Sequence, residues 1–145
     1  MNDLNSMEIG KRDGFIDLDK RPVEQGLQQL LSDCTGSIAA LVVTDDGFVV
    51  AQVIKREMAV KSLAAITSSL MGLSESMVQE TAQKACRNVI IEAEEGNIVT
   101  LRINSTRVLT AIASRSASLG MLLSSAKSCA EELADVLEQT HAGMK

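Results

Sequence analysis

The segment from Met58 to about Gln83 constrains the fold most, because its pattern predicts a long helix that is apolar on more than one face. Its main stripe recurs at alternating spacings of four and three: Ala59, Leu63, Ile66, Leu70, Leu73 and Met77. A second stripe runs beside it: Val60, Ala64, Met71 and Val78. No charged residue occurs from Ser62 to Ser74. A helix on a sheet needs one apolar face, so the second stripe predicts contact with something beyond its own sheet.

Five segments have the apolar patterns of strands. The first, Ile38 to Thr44, is apolar on both faces, which is typical of a central strand covered from both sides. The others are predicted at 48–53, 88–94, 98–103 and 107–113. A first helix is predicted from Pro22 to about Cys34–Gly36, and Ser118 suits the start of a last helix. The predicted order is helix, two strands, helix, three strands, helix.

The stretch LVVTDDGFVVA raises the question of a site, because Asp45 and Asp46 stand together between two apolar runs. A metal site would need more ligands, and no histidine, third carboxylate or repeated DxD spacing follows. Short polar side chains before Gly47 are typical of a hairpin turn. The acidic pair therefore predicts a corner.

The composition excludes several classes of protein. The net charge of −5, with two phenylalanines and no Trp or Tyr, argues against nucleic-acid binding. Cys34, Cys86 and Cys129 lie far apart and His141 is the single histidine, so no zinc ligand set is present and the thiols are predicted to be core or boundary residues. No apolar run is long enough to span a bilayer and no leader is recognised, which favours a cytoplasmic protein without membrane insertion.

The first residues differ from the rest in composition. Residues 1–21 mix charges of both signs with two glycines, which predicts a mobile arm in which only Phe15 and Ile16 are candidates for docking.

The order of elements carries a family resemblance. With the texts GSIAALVVTDDGFVVA, NVIIEAEEGNIVTLRI and VLTAIASRSASLGMLLSSAKSCAEEL, the chain resembles the roadblock/dynein light chain family over about residues 22–138, leaving 139–145 as a tail. The strand-Asp-Gly-strand hairpin, the Ile-Glu-x-Glu strand and Ser118-Leu119-Gly120 are its most telling parts. The resemblance implies an α/β (α+β) three-layer sandwich with a five-stranded antiparallel sheet, in the order α-β-β-α-β-β-β-α, roadblock/profilin-like.

The resemblance also implies a function without internal chemistry. Family members typically pair through edge strands and middle helices, and prokaryotic single-domain members look like regulators or platforms for small Ras-like GTPases. It therefore implies a non-enzymatic homodimer that binds such a GTPase and modulates its cycle, with no cofactor or metal. A dynein-light-chain-like structural adaptor and a small-ligand sensor are the alternatives.

The residues support pairing independently. The strand at 88–94 is a candidate edge whose apolar side chains would stay uncovered unless a second copy pairs with it across a two-fold axis. The predicted dimer and partner interface comprises Val60, Ala64, Ile66, Ser69, Leu70, Met71, Leu73, Met77, Val89, Ile90 and Ile91.

An enzymatic function finds little support in the sequence. Catalysis would fall to carboxylates such as Glu92 and Glu94, which on a strand face are more typical of solvation or edge protection. No phosphate-loop pattern GxxxxGK[ST] occurs, so the chain is not itself predicted to be a GTPase. Three arginines, Arg56, Arg87 and Arg115, are conceivable fingers in trans, but the resemblance transfers no such role to them.

Overall fold

The computed structural model describes residues 20–143, with side chains as far as Glu138. The predicted arm lies outside the described residues except for its last two positions. Three helices and five strands follow one another in the predicted order: α1 (Arg21–Asp33), β1 (Ser37–Thr44), β2 (Val49–Ile54), α2 (Val60–Glu80), β3 (Asn88–Ala93), β4 (Gly96–Arg102), β5 (Arg107–Ser114) and α3 (Leu119–Gly143). The last helix therefore continues past residue 138, where we expected a tail to begin.

The five strands form one antiparallel sheet in the order β2-β1-β5-β4-β3. The central pairing of β1 with β5 joins the two halves of the chain, and β2 and β3 are left at the two edges. Helices α1 and α3 cover one face and α2 lies on the other. The predicted three-layer sandwich and the edge position of β3 are confirmed.

The main core lies between the sheet and the helix pair α1 and α3. Alternate residues of β1 and β5 point into it, as the period of two in a strand requires. It contains leucines from both helices and side chains of mixed size from the sheet: Leu27, Leu30, Ala40, Val42, Leu109, Ala111, Leu122 and Leu133. Ser118 Oγ accepts a hydrogen bond from the Met121 N–H at 3.1 Å, so the predicted cap of α3 is confirmed.

The second core, under α2, is smaller and partly polar. Its apolar part is Val43, Ala64, Met71 and Val108. Beside it a chain of buried hydroxyls crosses from the helix into the sheet: Thr110 Oγ1 donates to Thr67 Oγ1 at 3.4 Å and lies 3.2 Å from Thr100 Oγ1. Because α2 buries few large side chains, directional contacts contribute to its position on the sheet.

The structure exchanges the roles that the sequence pattern predicted for the two stripes of α2. We expected the main stripe to face the sheet and the second to be surplus. Instead Ala64 and Met71 of the second stripe are each 1% exposed, whereas Ile66 of the main stripe is 58% exposed. The α2 side chains buried against the sheet are Ala64, Thr67 and a single long one, Met71, so the larger apolar residues of the main stripe lie on the flank of the helix.

The acidic pair forms the predicted corner. Gly47 at the β1–β2 turn has a φ of +97°, a conformation that glycine adopts readily. The Thr44 N–H donates to the Phe48 carbonyl oxygen at 2.7 Å, and Thr44 Oγ1 donates to Asp46 Oδ1 at 2.6 Å. Within residues 20–143, no group of three or more His, Cys, Asp or Glu side chains is arranged to hold a metal ion.

Candidate interaction surface

The most unusual surface of the molecule is the apolar flank of α2. Leu73 and Met77 are 67% and 72% exposed, Ile66 is exposed beside them, and Leu63 and Leu70 are half-buried at the base of the flank. We call these five residues the α2 stripe. A contiguous patch of exposed apolar side chains is typical of an interaction surface. Single exposed apolar residues, by contrast, are common on any protein surface.

A row of isoleucines crosses the sheet beside the α2 stripe. Register pairs place Ile91 next to Ile98, Ile98 next to Ile112, Ile112 next to Ala39, and Ala39 next to Ile54. The four isoleucines are at most partly buried. We call them, with Ala39, the isoleucine row.

The α2 stripe and the isoleucine row belong to one groove. Ser68, on the opposite flank of α2, donates to the Asp45 carbonyl oxygen at 2.6 Å, so that flank faces the β1–β2 turn. The isoleucine row crosses β1 at Ala39, near the other end of that strand. The α2 stripe therefore forms a wall on the side of the row, and the row forms the floor.

The edge strand β3 borders this surface on one side. Ile90 and Ile91 are each 38% exposed and point to opposite faces of the sheet, while Val89 is half-buried against the cluster under α2. Arg87 precedes the strand, and Glu92 and Glu94 stand at its other end. A two-sided apolar edge with open backbone groups is unfavourable in isolation.

An ion-pair network holds α2 in place above the sheet. Arg102, at the end of β4, contacts Asp45 Oδ1 through Nη1 at 3.0 Å and Glu75 Oε2 through Nε at 3.3 Å. Partial burial on its own lowers the pKa of Arg102, but the hydrogen bonds and charges of Asp45 and Glu75 offset this and raise the pKa above its usual value. Sequence reasoning missed this network.

The cysteines lie where the sequence predicted. Cys34 and Cys129 are buried and Cys86 is half-buried, all three as free thiols. Burial raises the pKa of Cys34, with Lys55 acting in the opposite direction. Burial, followed by the charges of Glu132 and Asp33, raises the pKa of Cys129 to about 12, so this thiol is neutral and inert at ordinary pH.

The predicted interface residues differ in where the structure places them. Six lie at the groove or the β3 edge with exposed or half-buried side chains, and Ser69 is exposed on α2; the six are Ile66, Leu70, Leu73, Met77, Ile90 and Ile91. Ala64 and Met71 are buried against the chain's own sheet, so neither side chain is exposed for contact with a second copy. Val60 and Val89 are half-buried, Val60 at the start of α2 and Val89 against the cluster under it.

The three arginines considered as fingers lie apart from the groove's floor and wall. Arg56, Arg87 and Arg115 are exposed, and Arg115 Nε lies 3.9 Å from Glu95 Oε1.

Among the described residues, no helix has the length and apolar character to cross a membrane.

Comparison with protein families decides the assignment. The model of the roadblock/LC7 domain matches residues 24–113, which is more than half of the chain. The chain belongs to the roadblock/LC7 family. The predicted resemblance is thereby confirmed, while the boundaries 22–138 that we predicted for the roadblock domain stay a prediction.

Solved structures share this roadblock fold at low sequence identity. One is MglB with a tetrameric arrangement, with 19% identity and a TM-score of 0.77 over 81% of this chain and 89% of that chain. Another is the gliding protein MglB from Thermus thermophilus, with 17% identity and a TM-score of 0.77 over 82% and 90%. A roadblock/LC7 domain from Streptomyces avermitilis has 18% identity and a TM-score of 0.73 over 79% and 97%. No curated protein matches the chain significantly.

Proposed function

We propose that this roadblock protein is a homodimer that binds a small Ras-like GTPase and regulates its cycle as a non-enzymatic platform. The observation that carries the proposal is the groove formed by the α2 stripe and the isoleucine row, which opens beside the free edge β3. A second copy of the chain fills this groove and pairs with this edge at the same time.

The spacing of the α2 stripe supports a helix as its occupant. Residues 63, 66, 70, 73 and 77 alternate between steps of three and four, an average of about 3.5, which is the repeat of helices that pack side by side. A two-fold axis brings the same stripe of the second copy against it. Burying side chains such as Leu73 and Met77 contributes about 1.5–3 kcal/mol each before the costs of association.

The charges along β3 support antiparallel self-pairing of this edge. In a two-fold pairing centred on Ile91, Arg87 of one copy lies opposite Glu95 of the other. Opposite charges at facing positions favour this register, and like charges would oppose it. The pairing also covers the open backbone groups of the edge.

The regulatory part of the proposal is supported by family membership. The family resemblance implies that prokaryotic single-domain members regulate small Ras-like GTPases or serve as platforms for them. The chain itself has no phosphate-loop motif. The GTPase would supply the phosphate loop and the magnesium ion, and the dimer would bias its switch segments. The tetrameric arrangement of one similar MglB structure is consistent with self-association in this fold.

Light scattering coupled to gel filtration tests the dimer. We expect a mass of about twice 15.5 kDa for the wild type at micromolar concentration and 15.5 kDa for Leu73→Glu, because a carboxylate cannot be buried unpaired in the groove. Met121→Glu is the matched control, since Met121 is an exposed apolar residue on α3, in the opposite layer. A monomeric wild type, or a monomer for both variants, contradicts the proposal.

Affinity capture from the native cell tests the partner. Immobilised wild-type chain should retain a small GTP-binding protein, with retention that differs between added GDP and a non-hydrolysable GTP analogue. The rate of GTP hydrolysis by that partner is then measured with and without the dimer. Retention of proteins that include no GTP-binding protein, or an unchanged nucleotide cycle, contradicts the regulatory role.

A further inference from the structure

The edge strand β2, at the opposite end of the sheet from β3, has open backbone groups. Lys55 N–H donates to the Ile38 carbonyl oxygen at 2.8 Å, which fixes the alternation along the β1–β2 pair. Gln52 and Ile54 therefore direct their N–H and C=O groups away from β1. Within residues 20–143, no other segment hydrogen-bonds to these groups.

A cleft runs beside this open edge. It has a volume of about 570 Å³ and lies between β2 and the first turn of α2, with a mostly apolar lining: Val49, Gln52, Ala59, Val60, Lys61 and Ser62. We call it the β2–α2 cleft. A space between an edge strand and a helix accommodates an added strand whose alternate side chains enter it.

The charge around the β2–α2 cleft is opposite to that of the whole molecule. Lys55, Arg56 and Lys61 stand at this end with Glu57 as the single acidic side chain in residues 52–62, whereas the chain as a whole has a net charge of −5. Helix α2 begins here without a side-chain cap and without an acidic residue in its first turn. Its positive dipole end adds to the local positive potential.

The two faces of an added strand would meet different surroundings. Its side chains on the α2 face would enter the cleft against Val49 and Val60. Side chains on the other face would lie on the side of Lys55, whose charge acts on Cys34 at the end of α1. The surface therefore fits an extended segment with apolar residues on one face and acidic residues on the other.

We propose that the β2–α2 cleft binds an extended peptide segment of a partner protein, in which apolar and acidic residues alternate, as a sixth strand on the edge of β2. The site lies at the β2 edge and the first turn of α2, and it shares only Ile54, at the far end of the isoleucine row, with the groove of the proposed dimer. It gives the protein a second docking surface.

Fluorescence anisotropy with a labelled synthetic peptide tests the proposal. The probe alternates Ile, Val and Leu with Asp or Glu, and its matched control carries Lys in place of the acidic residues. The full-length protein should bind the acidic probe saturably and the Lys peptide at least about tenfold more weakly. Absence of saturable binding, or equal binding of both peptides, overturns the proposal.

Two pairs of variants locate the binding. Gln52→Pro removes the outward N–H without removing a bond to β1 and should weaken binding at least about tenfold, whereas Gln52→Val should leave it unchanged. Lys55→Glu should weaken binding about fivefold or more, because it reverses the charge on the face where the acidic side chains lie, whereas Lys127→Glu on α3 should not. Lys55→Glu is the second test if Gln52→Pro unfolds. Full affinity in Lys55→Glu and in a folded Gln52→Pro overturns the proposal.

Other occupants of the β2–α2 cleft would give different results. A second copy would be indicated if Gln52→Pro or Lys55→Glu lowers the mass measured by light scattering. The chain's own first residues would be indicated if the full-length variant Phe15→Ser with Ile16→Ser binds the probe more tightly than the wild type. Either result overturns the assignment to a partner segment. Leu73→Glu should bind the probe like the wild type, which separates this site from the proposed dimer interface.

Discussion

Arg102 is the residue at which three segments of the chain meet. It lies at the end of β4 and contacts Asp45 of the β1–β2 turn and Glu75 of α2. The side chains of Arg102 and Glu75 are about three-quarters shielded from solvent, 28% and 26% exposed, while that of Asp45 is half-exposed at 53%. Loss of Arg102 therefore leaves a partly buried carboxylate without its partner.

We expect Arg102→Met to lower the free energy of unfolding by about 1–2 kcal/mol, because Glu75 would lose its charged partner while the apolar stem is kept. Urea denaturation monitored by circular dichroism measures this change. Arg56→Met, at an exposed position, is the control and should change stability by less than about 0.5 kcal/mol. Equal losses for the two variants would mean that the network does not stabilise the fold.

The raised pKa of Cys129 predicts a pH dependence of stability. The thiol ionises near pH 9 in an ordinary environment and near 12 in the fold, so the unfolded state loses its proton first. The contribution of Cys129 to stability is complete below pH 9 and is lost as the pH rises towards 12. The Cys129→Ala variant should show a smaller loss of stability between pH 8 and pH 10 than the wild type, measured by urea denaturation.

Sequence reasoning at the residue scale succeeded where the determinant is local. Asp45, Asp46 and Gly47 form a turn because their short side chains and the glycine favour it within a few positions. The contacts of Arg102 join residues that lie 27 and 57 positions apart, and no local pattern indicates them. Only the register of β4 beside α2 brings these charges together.

At the scale of the element, a Met→Ala substitution should have different effects in the two stripes of α2. Met71 is 1% exposed under the helix and Met77 is 72% exposed on the groove wall. Met71→Ala should lower the free energy of unfolding by about 2–5 kcal/mol, because it leaves a cavity against the sheet. Met77→Ala should leave the fold of a monomer intact and weaken the proposed dimer.

Chemical denaturation and light scattering on both variants check this contrast. Met71→Ala should lose stability with an unchanged mass, and Met77→Ala should show a dimer that dissociates at higher protein concentration than the wild type. A larger loss of folding stability in Met77→Ala would mean that the main stripe faces the sheet after all.

The elements themselves could be predicted, but the facing of α2 could not. Apolar patterns predicted the strand ends to within two residues, and the helical connection predicted the edge position of β3. The predicted facing of α2 differs from the structure because the prediction placed the more hydrophobic stripe against the chain's own sheet. Thr67, a polar residue in line with Ala64 and Met71, conceals the buried face, and the 3.5-residue repeat of the other stripe is the signal that was available.

At the scale of the whole molecule, assembly couples folding to concentration. If two copies bury the α2 stripe together, unfolding must also separate them, so the melting temperature should rise by a few degrees over a hundred-fold increase in protein concentration. Differential scanning fluorimetry checks this rise, and Leu73→Glu should abolish it. A melting temperature that is independent of concentration in the wild type would contradict a constitutive dimer.

The family and the three-layer architecture were recognisable from the sequence because they depend on the order and spacing of many segments. The groove was not, since its floor combines Ile54, Ile91, Ile98 and Ile112 from four strands. Their register across the sheet depends on the completed topology, in which β1 and β5 join the two halves of the chain.

The hydroxyl chain under α2 has a dynamic consequence. A helix that rests on Thr67, Ala64 and a single long side chain, Met71, gives up little apolar burial when it lifts away, unlike α1 with its four buried apolar residues. Its amide protons should therefore exchange with deuterium before those of α1 in a monomeric chain. A molecule bound in the groove would slow that exchange, so deuterium uptake by α2 directly measures how much of the groove is occupied.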